Sequence, residues 1–495
     1  MGGDGLTKWT EDRNEYMRML RFVNKLLNER PLIVSGFFGV GKTRLTSRSV
    51  LYIDEKIGYD REWRRRYGRL VFVLAYPLRR LRHQVYERYF KGRAFEFRAH
   101  DEVCPALKKR LEERDVLIEE EGEEERQRYY LVTVAEHLKA VKEGVEDCDF
   151  AKQVDALRKY YANGGRIVVT THMLGLTAGV LAYTVRRRPV LIYDEAEDFM
   201  LTLSRGIHES IIKAIEAIDE KLAKRLIKMM KKHTEMYFIR KSVLEDLFRD
   251  IVLVSATFPS SLRDAIFLLT GKEPETHPLH NTDDITQDVA IFYRGYLSTE
   301  EMDEWWPIVS PQVAELVRIG VQRYGVVGIV AKRHSLADRI ISVLSNMGFR
   351  IVHDKMRREE FNSLLPEAQV VVLTTRGKLY RGVNILPKGV DDVPFIIAFY
   401  QGAKDAEFHP EISNVMTDIN DELLETYVRE MVYAKNLQAV YRFNRKSGRR
   451  HVMVFFDWRF HQAYYHFYRN YLYYYLVRVE VDDLSKVADV ARQYI

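Results

Sequence analysis

The chain has 495 residues, 46% hydrophobic, 12% aromatic and 30% charged, and its 77 Lys and Arg against 71 Asp and Glu give a formal charge of +6. That length and apolar content fit two or three ordinary domains and exclude a disordered, collagenous or linker-like chain. Two cysteines are too few for a disulfide framework, and no run approaches the roughly 20 apolar residues that span a bilayer. With its polar opening, the chain is therefore expected to be soluble and cytoplasmic, without membrane contact. High charge with few Cys and Gln also fits a thermophilic prokaryote or its virus.

In chain order, short aliphatic runs predict strands at 32–35, 70–75, 167–171, 190–193, 251–255, 326–330, 350–353, 370–373, 395–398 and 452–456. Helix-like stretches separate them, which is the pattern of an α/β chain with parallel sheets buried on both faces. Ligands of such sheets bind beyond the carboxyl ends of the strands. A polar, proline-bearing stretch at 276–299 places a domain boundary near residue 285, giving domains 1–285 and 286–495. Two gaps in the first domain, about 92–160 and 199–249, are too long for simple crossovers and predict mostly helical inserts. The acidic block at 119–128 in the first insert reads as solvated surface.

The first strand runs into GFFGVGKT, where Gly36, Gly41, Lys42 and Thr43 satisfy G-x-x-x-x-G-K-[ST] in its strand-to-helix setting, with Gly39 between them. Glycines there let backbone N–H groups turn onto phosphate oxygens, Lys42 reaches the β/γ-phosphates, and Thr43 offers a hydroxyl to Mg²⁺. ATP and Mg²⁺ are the expected ligands. Downstream, VLIYDEAED brings Asp194 and Glu195 to a strand end. Asp194 is expected to share the metal with Thr43, and Glu195 to orient and deprotonate the attacking water. The bland alternative is an acidic helix start complementing the macrodipole.

With DEAE at 194–197, the chain resembles a superfamily 2 DNA helicase. The other motifs follow in order: LAYPLRRLRHQ (74–84) resembles motif Ia, TTH (170–172) the next strand-end contact, and SAT (255–257) motif III. In the second half VGIVAKRHSLADRI resembles motif IV, TTRGKLYRGVNI (374–385) motif V and QAVYRFNR (438–445) motif VI. Motif VI and the following DWRF (457–460) are similar to the XPD/DinG group, with Tyr441 standing where that group has glycine. Arg381, Gly382 and Asn384 of motif V look closer to reverse gyrase.

The resemblance implies two tandem RecA-like P-loop domains with ATP between them. Catalytic Lys42, Asp194 and Glu195 would lie on the first domain, with Arg442 and Arg445 as arginine fingers, Gln438 as a γ-phosphate sensor and Asn384 beside the nucleotide on the second. A single strand of nucleic acid, DNA first and RNA as the alternative, would cross Arg79, Arg80, Arg82, Gln84, Thr171, His172, Lys332, Arg333, Thr374, Thr375 and Arg376. For each of these a solvated loop residue is the competing reading. A nucleotide-switched strand-binding subunit without unwinding activity is the rival from another class. Protein partners are left unknown.

XPD-like helicases carry a four-cysteine iron–sulfur domain between motifs Ia and II, the interval that holds Cys104 and Cys148. Two thiolates cannot hold a cubane cluster, so no iron–sulfur cluster is expected. The first expectation is a buried pair of ordinary cysteines. Behind it stand a disulfide and then a metal site completed by His100 or His137. The basic run at 221–233 is expected to be a helix, either along the strand's path or on a solvated face. The Tyr-rich segment at 463–480 is expected to be a packed amphipathic helix.

Overall fold

The computed structural model of the chain describes residues 13–28, 30–36, 41–115, 123–216, 219–233, 236–279, 288–356, 358–374, 392–402, 421–443, 450–474 and 476–495. Of the expected site residues, Gly39, Thr375, Arg376, Asn384 and Arg445 lie outside them, as do Arg381, Gly382 and the boundary near 285.

The first half carries β1 (Leu32–Gly36), β2 (Leu70–Tyr76), β3 (Phe95–Glu96), β4 (Ile167–Thr171), β5 (Arg188–Asp194), β6 (Ile207–His208), β7 (Met230–His233), β8 (Met236–Ile239), β9 (Val252–Ser255) and β10 (Glu275–Leu279). The second carries β11 (Asp288–Tyr293), β12 (Val327–Ala331), β13 (Ile351–His353), β14 (Val370–Thr374), β15 (Phe395–Ala398), β16 (Val452–Phe455) and β17 (Leu476–Val481). They form two seven-stranded sheets, ordered β10-β1-β9-β5-β2-β4-β3 and β13-β14-β12-β15-β16-β11-β17. Every neighbouring pair in both sheets is parallel. This is the tandem α/β architecture that the aliphatic runs predict.

Burial on both faces explains why these runs are apolar without a break. Along β2, Phe72, Leu74 and Tyr76 enter one core while Val71, Val73 and Ala75 enter the opposite one. β14 divides likewise, with Val371 and Leu373 against one helix layer and Val370 and Val372 against the other. Each sheet is thus the middle of a three-layer sandwich, and its strand ends are the surfaces left free for ligands.

The inserts are largely helical, with two departures. β3 lies inside the first insert yet joins the edge of the main sheet beside β4. The second insert contains a small antiparallel sheet, β6-β8-β7, so the basic run is a helix only over Glu220–Lys228 and turns into β7 at Met230. There Lys232 pairs with Glu209 at 3.1 Å and lies over the Tyr237 ring. In the second half, the Tyr-rich segment expected to be a helix is helical as part of Arg459–Tyr474 but ends in β17, where Val477, Val479 and Val481 alternate with polar residues. Among the described residues, no helix is long and apolar enough to cross a membrane.

Candidate active site

The site is built at the carboxyl ends of β1, β5 and β9, and closed by the helix Asp421–Val440 of the second half. Gly41, the residue before the helix Lys42–Tyr59, sits at φ 82°, ψ 27°, left-handed backbone that glycine adopts at little cost. The helix therefore starts with its N–H groups facing the cleft. Lys42 Nζ donates to the Gly36 carbonyl at 2.9 Å, and Thr43 Oγ1 donates to Asp194 Oδ2 at 2.7 Å. Two residues separated by 151 positions in sequence thus meet where a metal-bound phosphate would lie.

Burial dominates the electrostatics. It lowers Lys42 to about 8, against the opposing pull of Asp194, Glu197 and Glu195. It raises Asp194 to about 6, with the Glu195 charge adding and Thr43 and Lys42 opposing. Such a carboxylate gains from a divalent cation, which replaces the lost hydration. The donor set of one hydroxyl and one buried carboxylate, leaving several positions for water and phosphate, fits Mg²⁺.

Glu195 is one of two non-glycine residues with positive φ among those described (φ 54°, ψ 57°). A non-glycine residue held there costs about 1–3 kcal/mol, and such strain clusters at functional sites. Its Oε1 accepts from Arg442 Nη2 at 3.2 Å, across the two halves of the chain, while its Oε2 is buried without a hydrogen-bond partner. Gln438, Tyr441 and Arg442 line one cleft of about 570 Å³ with Gly41, Lys42, Thr43, Asp194 and Glu195. Tyr441 needs no glycine-like backbone. Its φ is negative, and its hydroxyl accepts from Tyr464 at 2.6 Å.

Glu197 is the residue whose part the motif pattern understates. It is 2% exposed, and its Oε1 accepts from Thr257 Oγ1 at 2.6 Å and from Ser255 Oγ, while burial raises it to about 7. The hydroxyls of Ser255 and Thr257, two residues apart, converge on one side of the chain, which is the available sequence signal. Tyr427 OH, from the second half, donates to the Glu197 carbonyl, and Tyr468 OH donates to that of Ala256 at 2.5 Å. Glu430, fully buried, accepts from Ser260 N (3.1 Å), Ser261 N (3.0 Å) and His466 Nε2 (2.8 Å). The acidic motif is thereby tied through β9 to the second half.

Neither a protein-family model nor the sequence of any curated protein matches the chain. Its structure does have counterparts. A solved XPD helicase superposes with a TM-score of 0.54 at 12% identity, over 95% of this chain and 100% of the other. An apo XPD structure does so at 0.52 and 12% identity, over 94% and 100%.

The fold is similar to that of these XPD helicase structures.

On this XPD-like fold the expected strand-contacting residues separate into groups. Lys332 is 1% exposed: its Nζ donates to the Leu297 carbonyl at 2.8 Å and packs 4.8 Å from the Trp305 ring centre. Thr374 is fully buried, its hydroxyl and N–H both bound to Asp354 Oδ2. His172 is buried with Nε2 at 2.7 Å from the Asp194 carbonyl, so it positions the acidic motif. Thr171 is buried ahead of the helix His172–Thr184, and Arg82 is buried between Glu96 and Glu102. All five side chains are buried in this structure.

Gln84 has a different setting. On the short helix Arg79–Val85 and its continuation, Leu81, Gln84 and Arg88 recur at helical spacing and line the same cleft as Lys42 and Asp194. That spacing, in RRLRHQVYER, was the signal for Arg88. Arg79 is exposed but forks onto Asp101 at 2.6 and 2.8 Å, and Arg80 and Arg333 are half-buried.

Proposed function

We propose that the chain is an ATP-dependent helicase or translocase that couples ATP hydrolysis between its two halves to movement on a single strand, with DNA as the favoured substrate. The single observation that carries this is the Glu195–Arg442 contact inside a cleft that also holds Lys42, Thr43 and Asp194. A water-activating carboxylate from one half and a guanidinium from the other meet where the γ-phosphate would stand. The preference for DNA rests on the similarity of motif VI to the XPD/DinG group.

In this reading Lys42 leaves the Gly36 carbonyl to bind the β/γ-phosphates, and Thr43 and Asp194 hold Mg²⁺. Bound Mg²⁺ neutralises phosphate charge as the terminal bond breaks. Glu195 orients a water and takes its proton, using the oxygen that has no partner. Arg442 must release Glu195 to reach the phosphate, so each of the two groups holds the other in reserve until nucleotide enters. Gln438 reports occupancy. The Tyr427–Glu197 and Glu430–serine contacts pass the change at the acidic motif to the second half. Arg79, Arg80 and Arg333 remain the proposed phosphate-backbone contacts, joined by Thr375 and Arg376.

Single-stranded DNA should stimulate Mg²⁺-dependent ATP hydrolysis more than RNA of the same length, and tailed duplexes should be unwound. Unstimulated hydrolysis with retained strand binding would instead identify a nucleotide-switched clamp.

A further inference from the structure

The first insert brings four soft or borderline donors to one point. His100 opens the short helix His100–Val103, Cys104 follows it, His137 lies on the helix Glu123–Lys142, and Cys148 caps the helix Asp149–Ala162. All four are buried, and their donor atoms lie within 4.8 Å of one another. The sulfurs are 3.7 Å apart, nearly twice a disulfide bond, and Cys148 Sγ is 3.2 Å from His100 Nε2. One tetrahedral ion with Zn–S of about 2.3 Å and Zn–N of about 2.0–2.1 Å would set these edges at about 3.8 and 3.5 Å.

The surroundings are those of a ligand set. The free N–H groups at the start of the helix Asp149–Ala162 serve both sulfurs: Phe150 N donates to Cys104 Sγ at 3.2 Å and Ala151 N to Cys148 Sγ at 3.4 Å. His137 Nδ1 is 2.6 Å from Glu146 Oε2, and Glu146 is held in turn by Arg110 at 2.5 Å. This is the carboxylate–histidine pairing that orients an imidazole toward a metal. His137 Nε2 is left buried without a sound hydrogen bond, though the Cys104 thiol lies close enough to interact with it. His100 Nδ1 is likewise buried and unpartnered.

The iron–sulfur centre implied by the XPD resemblance does not fit these residues. With two cysteines in the whole chain there is no four-thiolate cubane. A Rieske-type two-iron centre puts thiolates and imidazoles on different irons, which the 3.2 Å Cys148–His100 approach contradicts. We propose that His100, Cys104, His137 and Cys148 bind one zinc ion as a closed structural site that clips the helices of the first insert together. Four protein ligands leave no open position, so the ion fastens the insert and takes no part in chemistry.

Metal analysis of the full chain, purified without chelators from cells supplied with both zinc and iron, tests this. The expected result is one zinc per chain, and Co²⁺ exchanged into the site should give tetrahedral d–d bands with thiolate charge transfer. Cys104→Ala with Cys148→Ala should abolish both signals. Because that variant can misfold, Glu146→Gln, which keeps every ligand, should weaken zinc about 10–100-fold in chelator competition. Iron with acid-labile sulfide, wild-type chain that takes up neither zinc nor cobalt, metal retained by the double variant, or unaltered affinity in Glu146→Gln would each overturn the proposal. None of these readouts depends on ATP turnover.

Discussion

His451 offers a stability measurement whose size follows from the structure. It begins the chain entry into β16, and its ring lies between two buried carboxylates, with Nδ1 3.0 Å from Asp288 and Nε2 2.5 Å from Asp392. Burial by itself would lower its pKa, but the hydrogen bonds and charges of both aspartates prevail and raise it from 6.5 to about 9. A group with a raised folded-state pKa stabilises fully below its unfolded value and loses that contribution as pH climbs through the folded one. Each unit is worth about 1.36 kcal/mol, so the second sheet should lose about 3 kcal/mol between pH 6.5 and 9.5. Hydrogen exchange of the β11, β15 and β16 amides reads this without assuming that the whole chain unfolds in one step. His451→Gln should be less stable by about 3–5 kcal/mol at pH 6.5, since it leaves two buried carboxylates without their cation, and should lose the alkaline limb. An equal alkaline limb in the variant would refute the reasoning.

Lys42→Ala should abolish ATP turnover, and wild-type hydrolysis by that variant would disprove the phosphate site. Arg442→Ala should lower strand-stimulated kcat by about 10³-fold or more while nucleotide binding, read by fluorescence titration, changes far less. Glu430 adds an acid limb. Although burial alone would raise it, the hydrogen bonds from His466, Ser260 and Ser261 hold it at about 2. That stabilisation is present above the ordinary glutamate range and is lost as pH falls toward 2. Glu430→Gln should accordingly weaken the docking of the helix Asp421–Val440 by about 2–3 kcal/mol at neutral pH, seen as faster amide exchange in that helix alone.

Where the sequence was informative, one requirement had left one pattern. A strand buried on both faces must be apolar throughout, and a phosphate loop must have glycine where its backbone turns, so β1, β2, β5 and the Gly41–Lys42–Thr43 corner were legible. β11 was hidden because its apolar residues follow the polar stretch NTDDITQD, which reads as a linker. β17 was hidden because it follows tyrosines at helical spacing. Cys104 and Cys148 declared an unusual interval, but their distances in sequence from His100 and His137 match no familiar ligand spacing. Only the folding of three helices onto one another brings the four together.

The basic and hydroxyl residues at strand ends show a different limit. A polar side chain one position past a buried strand can face a ligand or satisfy the fold, and the local sequence is the same in both cases. Lys332 follows β12 as Glu195 follows β5. What separates them is the neighbourhood supplied from elsewhere: the Leu297 carbonyl and Trp305 ring receive Lys332 completely, whereas Arg442 engages one oxygen of Glu195 and leaves the other without a partner. A buried polar atom costs free energy until something binds it. Function is therefore to be sought where the fold leaves such an atom unsatisfied, and both Glu195 and His137 of the insert meet that condition while Lys332 and Thr374 do not.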